Sequence, residues 1–239
     1  MIRSFALLFF FTASSINAFP KDAPKDSLRI LFIGNSLTYT NDLPALVKEI
    51  GEVDGKNISC KTIAFPDFSL EDHWKDGKAV DEMEKRKYDF VILQQGPSAL
   101  PESQALLLTY ANKFAAVCKK QDSKMVLFMV WPAKARSADF DGVTASYFNA
   151  AQATNALFCP AGMAWLNVWE MNKDIPLYGP DGFHPGLDGS LVSAMTIYAT
   201  LMKKDNLDFL DLKKCSWKTT ISKELHSLLK MVAVNTVPQ

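Results

Sequence analysis

The sequence predicts an α/β fold in which one parallel sheet is covered by helices on both faces. Short apolar runs alternate with helical segments along the chain, and this alternation implies right-handed crossovers between parallel strands. The run Leu28–Ile33 is apolar except for Arg29, as in a strand buried on both faces. A chain of 239 residues, of which 48% are hydrophobic and 22% charged, can bury one full core.

Turn and cap residues mark where the elements begin and end. Gly34-Asn35 ends the first strand, Pro44 lies in the first turn of a helix, and Ser69 with Asp72 matches a capping box. The predicted strands are Leu28–Ile33, Asn57–Phe65, Asp89–Leu93, Lys124–Val130 and a weak fifth strand near Gly162–Ala164. The predicted helices are Leu43–Glu52, a segment that follows Ser69, Pro101–Lys120, Val143–Leu157, Asp188–Met202 and Thr219–Val232.

The charge balance excludes several classes of partner. The chain has 26 basic and 26 acidic side chains, whereas a broad nucleic-acid or anionic-membrane surface needs clustered Lys and Arg. Its 11 glycines and 12 prolines are too few for a fibrous or linker-rich protein. We therefore predict a compact domain that acts on a small or neutral substrate and binds no nucleic acid.

Residues 1–18 are typical of a secretory signal peptide. Arg3 precedes an apolar run from Phe5 to Ala13, and small and polar residues follow up to Ala18. The apolar run is too short to cross roughly 30 Å of hydrocarbon as a helix, so no stable membrane insertion is expected. Cleavage after Ala18 leaves one domain over residues 19–239, in the periplasm or outside the cell.

The four cysteines fit an exported protein without defining a site. Cys60, Cys118, Cys159 and Cys215 lie too far apart for a Cys-x-x-Cys metal or redox motif. In an oxidising compartment they allow three disulfide pairings, and buried free thiols are an equally acceptable alternative. No metal site is predicted from them.

Two segments carry residues suited to nucleophilic catalysis. Ser36 follows the first strand, and parallel sheets bind ligands at the carboxyl ends of their strands. His184 lies in a turn with Asp181. Its imidazole can accept a proton from a serine hydroxyl while the carboxylate accepts the other ring N–H. The structural alternatives are a helix cap at Ser36 and a turn residue at Asp181.

These blocks together resemble the SGNH/GDSL hydrolase superfamily of secreted esterases and lipases. Gly34-Asn35-Ser36-Leu37-Thr38 matches the branch whose first block reads GNS, and Asp181-x-x-His184 matches the last block. The resemblance covers Leu28 to about Met202 and implies a flavodoxin-like, three-layer α/β/α sandwich with a five-stranded parallel sheet. It implies a Ser36–His184–Asp181 triad. A G-x-S-x-G elbow, typical of the α/β-hydrolases, is absent from the sequence.

The middle blocks depart from the family pattern. The family places a glycine after the second strand, where this sequence has Asp67, and an asparagine after the third strand, where Gly96 aligns. The missing asparagine amide would have bound the oxyanion. We predict that the side-chain amide of Gln94 replaces it, with Gln95 as the second choice, alongside the backbone N–H groups of Ser36 and Asp67.

Four further residues are predicted to contact substrate. Asn35 adjoins the candidate nucleophile, and His73 falls on the helix after the second strand. Trp131 ends the fourth strand at the ligand-binding edge, and Tyr178 precedes the Asp181 turn. His73 is also considered as a second base, and a core position on the helix face is expected for its neighbour Trp74.

The leading functional hypothesis is a secreted serine esterase that cleaves carboxylic esters through an acyl-enzyme. It needs no cofactor, because the serine itself carries the acyl group. The resemblance suggests short acyl groups, such as acetyl esters on carbohydrate. The altered oxyanion blocks motivate an alternative, a weakly active or inactive binding module for polysaccharide or an exported partner. A flavodoxin-like electron carrier is a third reading, which leaves the Asp181–His184 turn unexplained.

Overall fold

The computed structural model describes residues 27–238 and contains five strands and nine α-helices over that range. The predicted signal peptide at residues 1–18 lies outside the described residues. The strands are β1 (Leu28–Gly34), β2 (Ile58–Ala64), β3 (Phe90–Leu93), β4 (Lys124–Phe128) and β5 (Leu157–Cys159). The helices are α1 (Ser36–Tyr39), α2 (Leu43–Val53), α3 (Leu70–Asp76), α4 (Lys78–Lys85), α5 (Pro101–Lys120), α6 (Phe140–Thr154), α7 (Ala161–Met171), α8 (Leu187–Met202) and α9 (Lys223–Thr236).

The strands form one sheet in the order β2-β1-β3-β4-β5, and every neighbouring pair is parallel. This is the flavodoxin-like order. After β2 is added on one side of β1, the later strands are added on the other side, so the switch in strand order lies between β1 and β3. The predicted fold class is confirmed. Residues Ile30–Ile33 of β1 are completely buried, because both faces of the central strands are covered by helices.

Two helical layers cover the sheet. On one side α8 packs against α2, α7 and α9, and on the other α5 packs against α3, α4 and α6. Because the strands are parallel, they all end at the same edge of the sheet. The candidate catalytic segments, which follow β1 and precede α8, lie at that edge. The fold thus brings together residues that are distant in sequence.

The predicted fifth strand was wrong in position. Residues 162–164 belong to α7, and β5 is Leu157–Cys159, a stretch that the prediction had partly included in the preceding helix. Helix α6 ends at Thr154 because Asn155 takes the left-handed conformation (φ 52°) of a helix C-cap. Gly162 packs against the chain just after β4, and a Cβ atom there would overlap the carbonyl oxygen of Val130.

All four cysteines are free thiols, and Cys60 alone among them is only partly buried. Burial raises the pKa of each thiol to about 12, so none of them is a thiolate at neutral pH. Of the two alternatives, free thiols rather than disulfides are therefore observed. No helix within residues 27–238 is both long enough and apolar enough to cross a membrane.

Candidate active site

The turn after β1 places Ser36 at the start of α1. Asn35 is the N-cap of this helix, and its side-chain oxygen accepts the Leu37 N–H at 3.1 Å. The Asn35 amide nitrogen donates to the Phe68 carbonyl at 3.1 Å, which ties the turn to the loop after β2. Ser36 is 8% exposed, and this small exposed part opens into a surface cleft.

The buried side chain of Gln94 hydrogen-bonds this turn on both sides of Ser36. Its Oε1 accepts the Asn35 N–H at 2.9 Å and the Thr38 hydroxyl at 2.8 Å, and its Nε2 donates to the Gln95 carbonyl at 2.6 Å. A Cβ atom on Gly34 would overlap Gln94 Oε1, so the close approach requires glycine there. Gln94 is completely buried, and its amide does not reach the cleft. The prediction that Gln94 donates to the oxyanion is therefore corrected, and Gln94 is a positioning residue.

Gln95 lines the cleft, but its amide is also occupied. Its Oε1 accepts the Leu70 N–H at 3.2 Å, and its Nε2 donates to the Ser98 hydroxyl at 2.9 Å and to the Ser103 carbonyl at 3.2 Å. The Tyr147 hydroxyl holds the Gln95 backbone, because it accepts the N–H at 3.0 Å and donates to the carbonyl at 2.5 Å. Gln95 thus braces the cleft wall, and its predicted role as the second oxyanion donor is corrected as well.

Asp67 and Gly96 occupy the two positions where the chain departs from the SGNH pattern. Asp67 is exposed, lines the cleft and has a φ of 60°, in the left-handed region that favours glycine. Asp67 therefore has a backbone conformation that glycine adopts without strain. Gly96 also lines the cleft, and a Cβ atom there would have no neighbour within 4 Å. Space for the missing side chain is therefore present.

His184 and Asp181 form the predicted pair. Asp181 Oδ2 lies 2.5 Å from His184 Nδ1, and Asp181 Oδ1 accepts the backbone N–H groups of Phe183 and His184, both at 2.9 Å. Because a carboxylate only accepts, the Nδ1 atom of His184 carries the proton and Nε2 can act as a base. The hydrogen bond from the His184 ring, followed by that from the Phe183 N–H, lowers the pKa of Asp181 to about 2.

Trp131 and Tyr178 support this turn from inside the protein. Trp131 is completely buried, stacks on Trp165 with ring centroids 3.6 Å apart, and donates its indole N–H to the Phe183 carbonyl at 3.0 Å. The Tyr178 hydroxyl donates to the Pro132 carbonyl at 2.7 Å. Neither side chain lines the cleft, so the prediction that they contact substrate is corrected.

His73 is likewise a structural residue. It is completely buried, and its Nε2 lies 2.7 Å from the Gly34 carbonyl, which fixes the proton on Nε2. Its Nδ1 atom is buried without a hydrogen-bond partner among residues 27–238. Burial lowers the pKa of His73, so the ring is neutral. The prediction that His73 contacts substrate is therefore corrected.

The two candidate catalytic segments meet at one edge of the sheet. Ser36 and Phe183 line the same cleft, and the Asn41 amide donates to the Pro185 carbonyl at 3.0 Å and to the Ser190 hydroxyl at 2.9 Å. Within residues 27–238, no hydrogen bond joins the Ser36 hydroxyl to His184. Catalytic hydrogen bonds are often long without substrate and shorten in the complex. The structure therefore brings the segments together without the proton-transfer contact.

The cleft has a volume of about 480 Å³. One side is apolar and comes from the loop after β3 and the start of α5, with Pro97, Leu100 and Leu106. The other side follows β4 and carries Arg136 and Asp139, which form an ion pair at 2.6 Å. The sequence analysis did not identify this pair. Its position after a strand at the ligand-binding edge was the available signal.

Residues 27–238 contain no group of three or more His, Cys, Asp or Glu side chains that could hold a metal ion. The chemistry available at this edge is that of a hydroxyl, an imidazole and a carboxylate. Such a set can transfer an acyl group through a covalent serine intermediate.

Comparison with solved structures identifies the fold. No protein-family model and no curated protein matches the sequence. Among solved structures, the chain is similar to a DUF4886 family protein from Bacteroides uniformis, with a TM-score of 0.73 and 16% identity over 88% of this chain and 94% of that one. It is also similar to a protein assigned to the SGNH hydrolases from Slackia heliotrinireducens, with a TM-score of 0.61 and 20% identity over 73% of this chain and 99% of that one.

A third similar structure is the acetyl xylan esterase AlAXEase, with a TM-score of 0.62 and 14% identity over 73% of this chain and 100% of that one. At these identities the comparison concerns the fold. The chain has the SGNH hydrolase fold, as the first and last sequence blocks predicted.

Proposed function

We propose that this protein is a serine esterase that hydrolyses carboxylic esters. The observation that carries the proposal is the Asp181–His184 pair, with Nδ1 and Oδ2 2.5 Å apart, on the segment that meets the Ser36 turn at the carboxyl edge of the sheet. A surface histidine needs no such partner for folding. A carboxylate that fixes the tautomer leaves Nε2 ready to take a proton.

In the proposed reaction, the Ser36 Oγ attacks the ester carbonyl while His184 Nε2 takes the hydroxyl proton. The bond to the alcohol then breaks, and His184 returns the proton to the leaving oxygen. Water attacks the acyl-serine by the same route and releases the acid. Asp181 stays ionised throughout, because its pKa of about 2 lies far below neutral pH.

The backbone N–H groups of Ser36 and Asp67 are the proposed oxyanion donors. Neither has a hydrogen-bond partner in the described part of the chain, and both residues line the cleft. No glutamine amide adds to them, because the amides of Gln94 and Gln95 are engaged elsewhere. Each missing donor costs about 2.7–4 kcal/mol of transition-state stabilisation, so we expect a slow esterase.

For the substrate, we propose a short acyl ester on carbohydrate. The cleft combines aromatic side chains (Phe68 and Phe183) with charged groups (Arg136 and Asp139), a mixture suited to a sugar with its apolar faces and hydroxyl groups. The similar fold of an acetyl xylan esterase supports acetyl as the acyl group. This part of the proposal rests on fold-level similarity.

The test is hydrolysis of acetyl, butyryl and longer aryl esters and of acetylated xylan by the wild type, Ser36→Ala and Ser103→Ala. Ser103 lines the same cleft, but its hydroxyl donates to the Leu100 carbonyl, so it is the matched control. We expect activity in the wild type and the control and none in Ser36→Ala. Full activity of Ser36→Ala would end the proposal.

A binding module for polysaccharide is the second candidate, favoured by the Asp67 carboxylate and the absent side chain at Gly96. Labelling with a fluorophosphonate probe separates the two functions, since only an activated serine reacts. Adduct formation at Ser36 supports the esterase, and an unlabelled protein that binds acetylated xylan supports the binding module.

A further inference from the structure

A second concave site lies between α9 and the segment at residues 208–218 that precedes it, away from the candidate active site. It has a volume of about 840 Å³, and we call it the lysine cleft. Its lining residues are Asp208, Leu210, Asp211, Leu212, Lys213, Lys218, Lys223, His226, Ser227 and Lys230. Helix α8 begins beside the His184 turn and runs for 16 residues, about 24 Å, before the chain reaches this cleft.

Helix α9 supplies one side of the lysine cleft. Lys223, His226, Ser227 and Lys230 recur at helical spacing, so all four lie on one face of the helix. The opposite face is buried at Val232. The 3-10 turns Leu212–Lys214 and Ser216–Thr219 supply the other side, with Lys213 and Lys218.

The floor of the lysine cleft is held rigidly. His226 is 3% exposed, its Nε2 lies 3.0 Å from the Leu210 carbonyl, and its Nδ1 accepts the Trp217 indole N–H at 3.4 Å. The lysines therefore project from a fixed frame rather than from a flexible loop. A fixed frame reduces the ordering cost of binding a ligand.

The charges of the lysine cleft are unbalanced, although the whole chain is neutral. Within residues 27–238, none of its four lysines forms an ion pair, so no direct carboxylate contact neutralises their charges. Asp208 and Asp211 also line the cleft, and Asp211 Oδ1 already accepts the Lys213 backbone N–H at 3.0 Å. Four ammonium groups thus face two carboxylates, which leaves a local positive potential that attracts anions.

We propose that the lysine cleft binds an acidic polysaccharide, a chain that carries carboxylate or sulfate groups. Lysine ammonium groups act as point charges and accept either group without a demand for planar geometry. No aromatic or arginine side chain lines this cleft, so it lacks the stacking platform that single-stranded nucleic acids require. Its concave shape does not fit a flat lipid surface. The site does not depend on the proposed esterase activity.

The test measures the affinity of the full chain for polygalacturonate, dextran sulfate and neutral dextran by gel-shift electrophoresis at low and high salt. The variant is Lys213→Gln/Lys218→Gln/Lys230→Gln. The matched control is Lys56→Gln/Lys119→Gln/Lys173→Gln, which makes the same change in net charge at exposed lysines outside the cleft. We expect binding to at least one anionic polymer, weakened about tenfold in the cleft variant and unchanged in the control.

Comparison of the two anionic polymers tells carboxylate from sulfate recognition. The proposal is overturned by equal weakening in both triple variants, by equal affinity for neutral dextran, or by tighter binding to single-stranded DNA or anionic vesicles than to either polymer. All six positions are surface lysines, and unchanged melting temperatures confirm that the variants fold. Hydrolysis of a soluble aryl ester should be the same in both variants.

Discussion

The side-chain oxygen of Gln94 accepts the backbone N–H of Asn35 at 2.9 Å, which ties the end of β3 to the residue before the candidate nucleophile. The same oxygen accepts the Thr38 hydroxyl, so one buried amide holds both sides of Ser36. A residue that was predicted to replace the missing oxyanion donor thus supports the geometry of the turn instead.

Replacing Gln94 with Ala should lower both the stability of the protein and its kcat for ester hydrolysis. The change leaves the Asn35 N–H and the Thr38 hydroxyl without their buried partner, and each such group costs about 1–3 kcal/mol. Urea unfolding and kcat are the measurements. Gln104→Ala, which loses one bond to the Ala99 carbonyl, is the control. Wild-type stability combined with a large loss of kcat would restore Gln94 as an oxyanion donor.

Introducing Asn at position 96 should raise kcat. A Cβ atom on Gly96 meets open space in the cleft, so the Asn amide can occupy the position where the family has its oxyanion donor. One such donor is worth about 10²–10³ in rate, and we expect at least part of that gain. The control is Gly96→Ala, which adds the Cβ atom without a donor. If both variants hydrolyse the ester equally fast, the cleft at Gly96 is not the oxyanion site.

Replacing Asp181 with Asn should reduce kcat by about three to four orders of magnitude, because an amide can leave His184 in the wrong tautomer. Asp174→Asn, an exposed acid before the same turn, should keep full activity. The pKa of Asp181 is lowered to about 2 when the chain is folded. Its contribution to stability is therefore complete above the unfolded pKa of about 3.9 and disappears as the pH falls toward about 2.

Acid unfolding over that range should accordingly be less steep for Asp181→Asn than for the wild type. The side chain is exposed, so we expect this difference to be small beside the loss of kcat. A variant with normal kcat would remove Asp181 from the mechanism.

The buried His73 should make the fold sensitive to mild acid. Burial lowers its pKa below the unfolded value of about 6.5, so the unfolded chain binds protons more readily than the folded one. Stability is then complete above about pH 6.5 and falls as the pH drops below it. His226, whose pKa burial also lowers, contributes in the same direction.

The urea midpoint measured between about pH 8 and about pH 5 checks this prediction. His73→Gln can still donate to the Gly34 carbonyl but does not titrate, so its midpoint should fall less with acid than that of the wild type. His226→Gln should remove a separate part of the change in urea midpoint with pH. If the urea midpoint of the double variant falls with acid as much as that of the wild type, these histidines do not cause the acid sensitivity.

Most of the fold was predictable because local signals agreed with one another. The helix Pro101–Lys120 was predicted with its observed ends, and the capping box at Ser69 and Asp72 is present in full. The error at β5 arose where a strand of three residues follows a helix without a polar loop. Only Asn155, in the left-handed conformation, and Ala156 separate the two, and asparagine is a weaker signal than glycine at such a cap.

The sequence by itself determined the order of strands and helices, and therefore the edge at which Ser36, Asp181 and His184 lie, because apolar pattern and caps act over a few residues. The tertiary structure alone decided where each polar side chain points. Four residues that the topology places near the candidate catalytic segments were predicted to face the substrate or the oxyanion. Each instead hydrogen-bonds a backbone group: Gln94, Trp131, Tyr178 and His73. Buried backbone groups must find partners in three dimensions, and that requirement leaves no mark on local spacing.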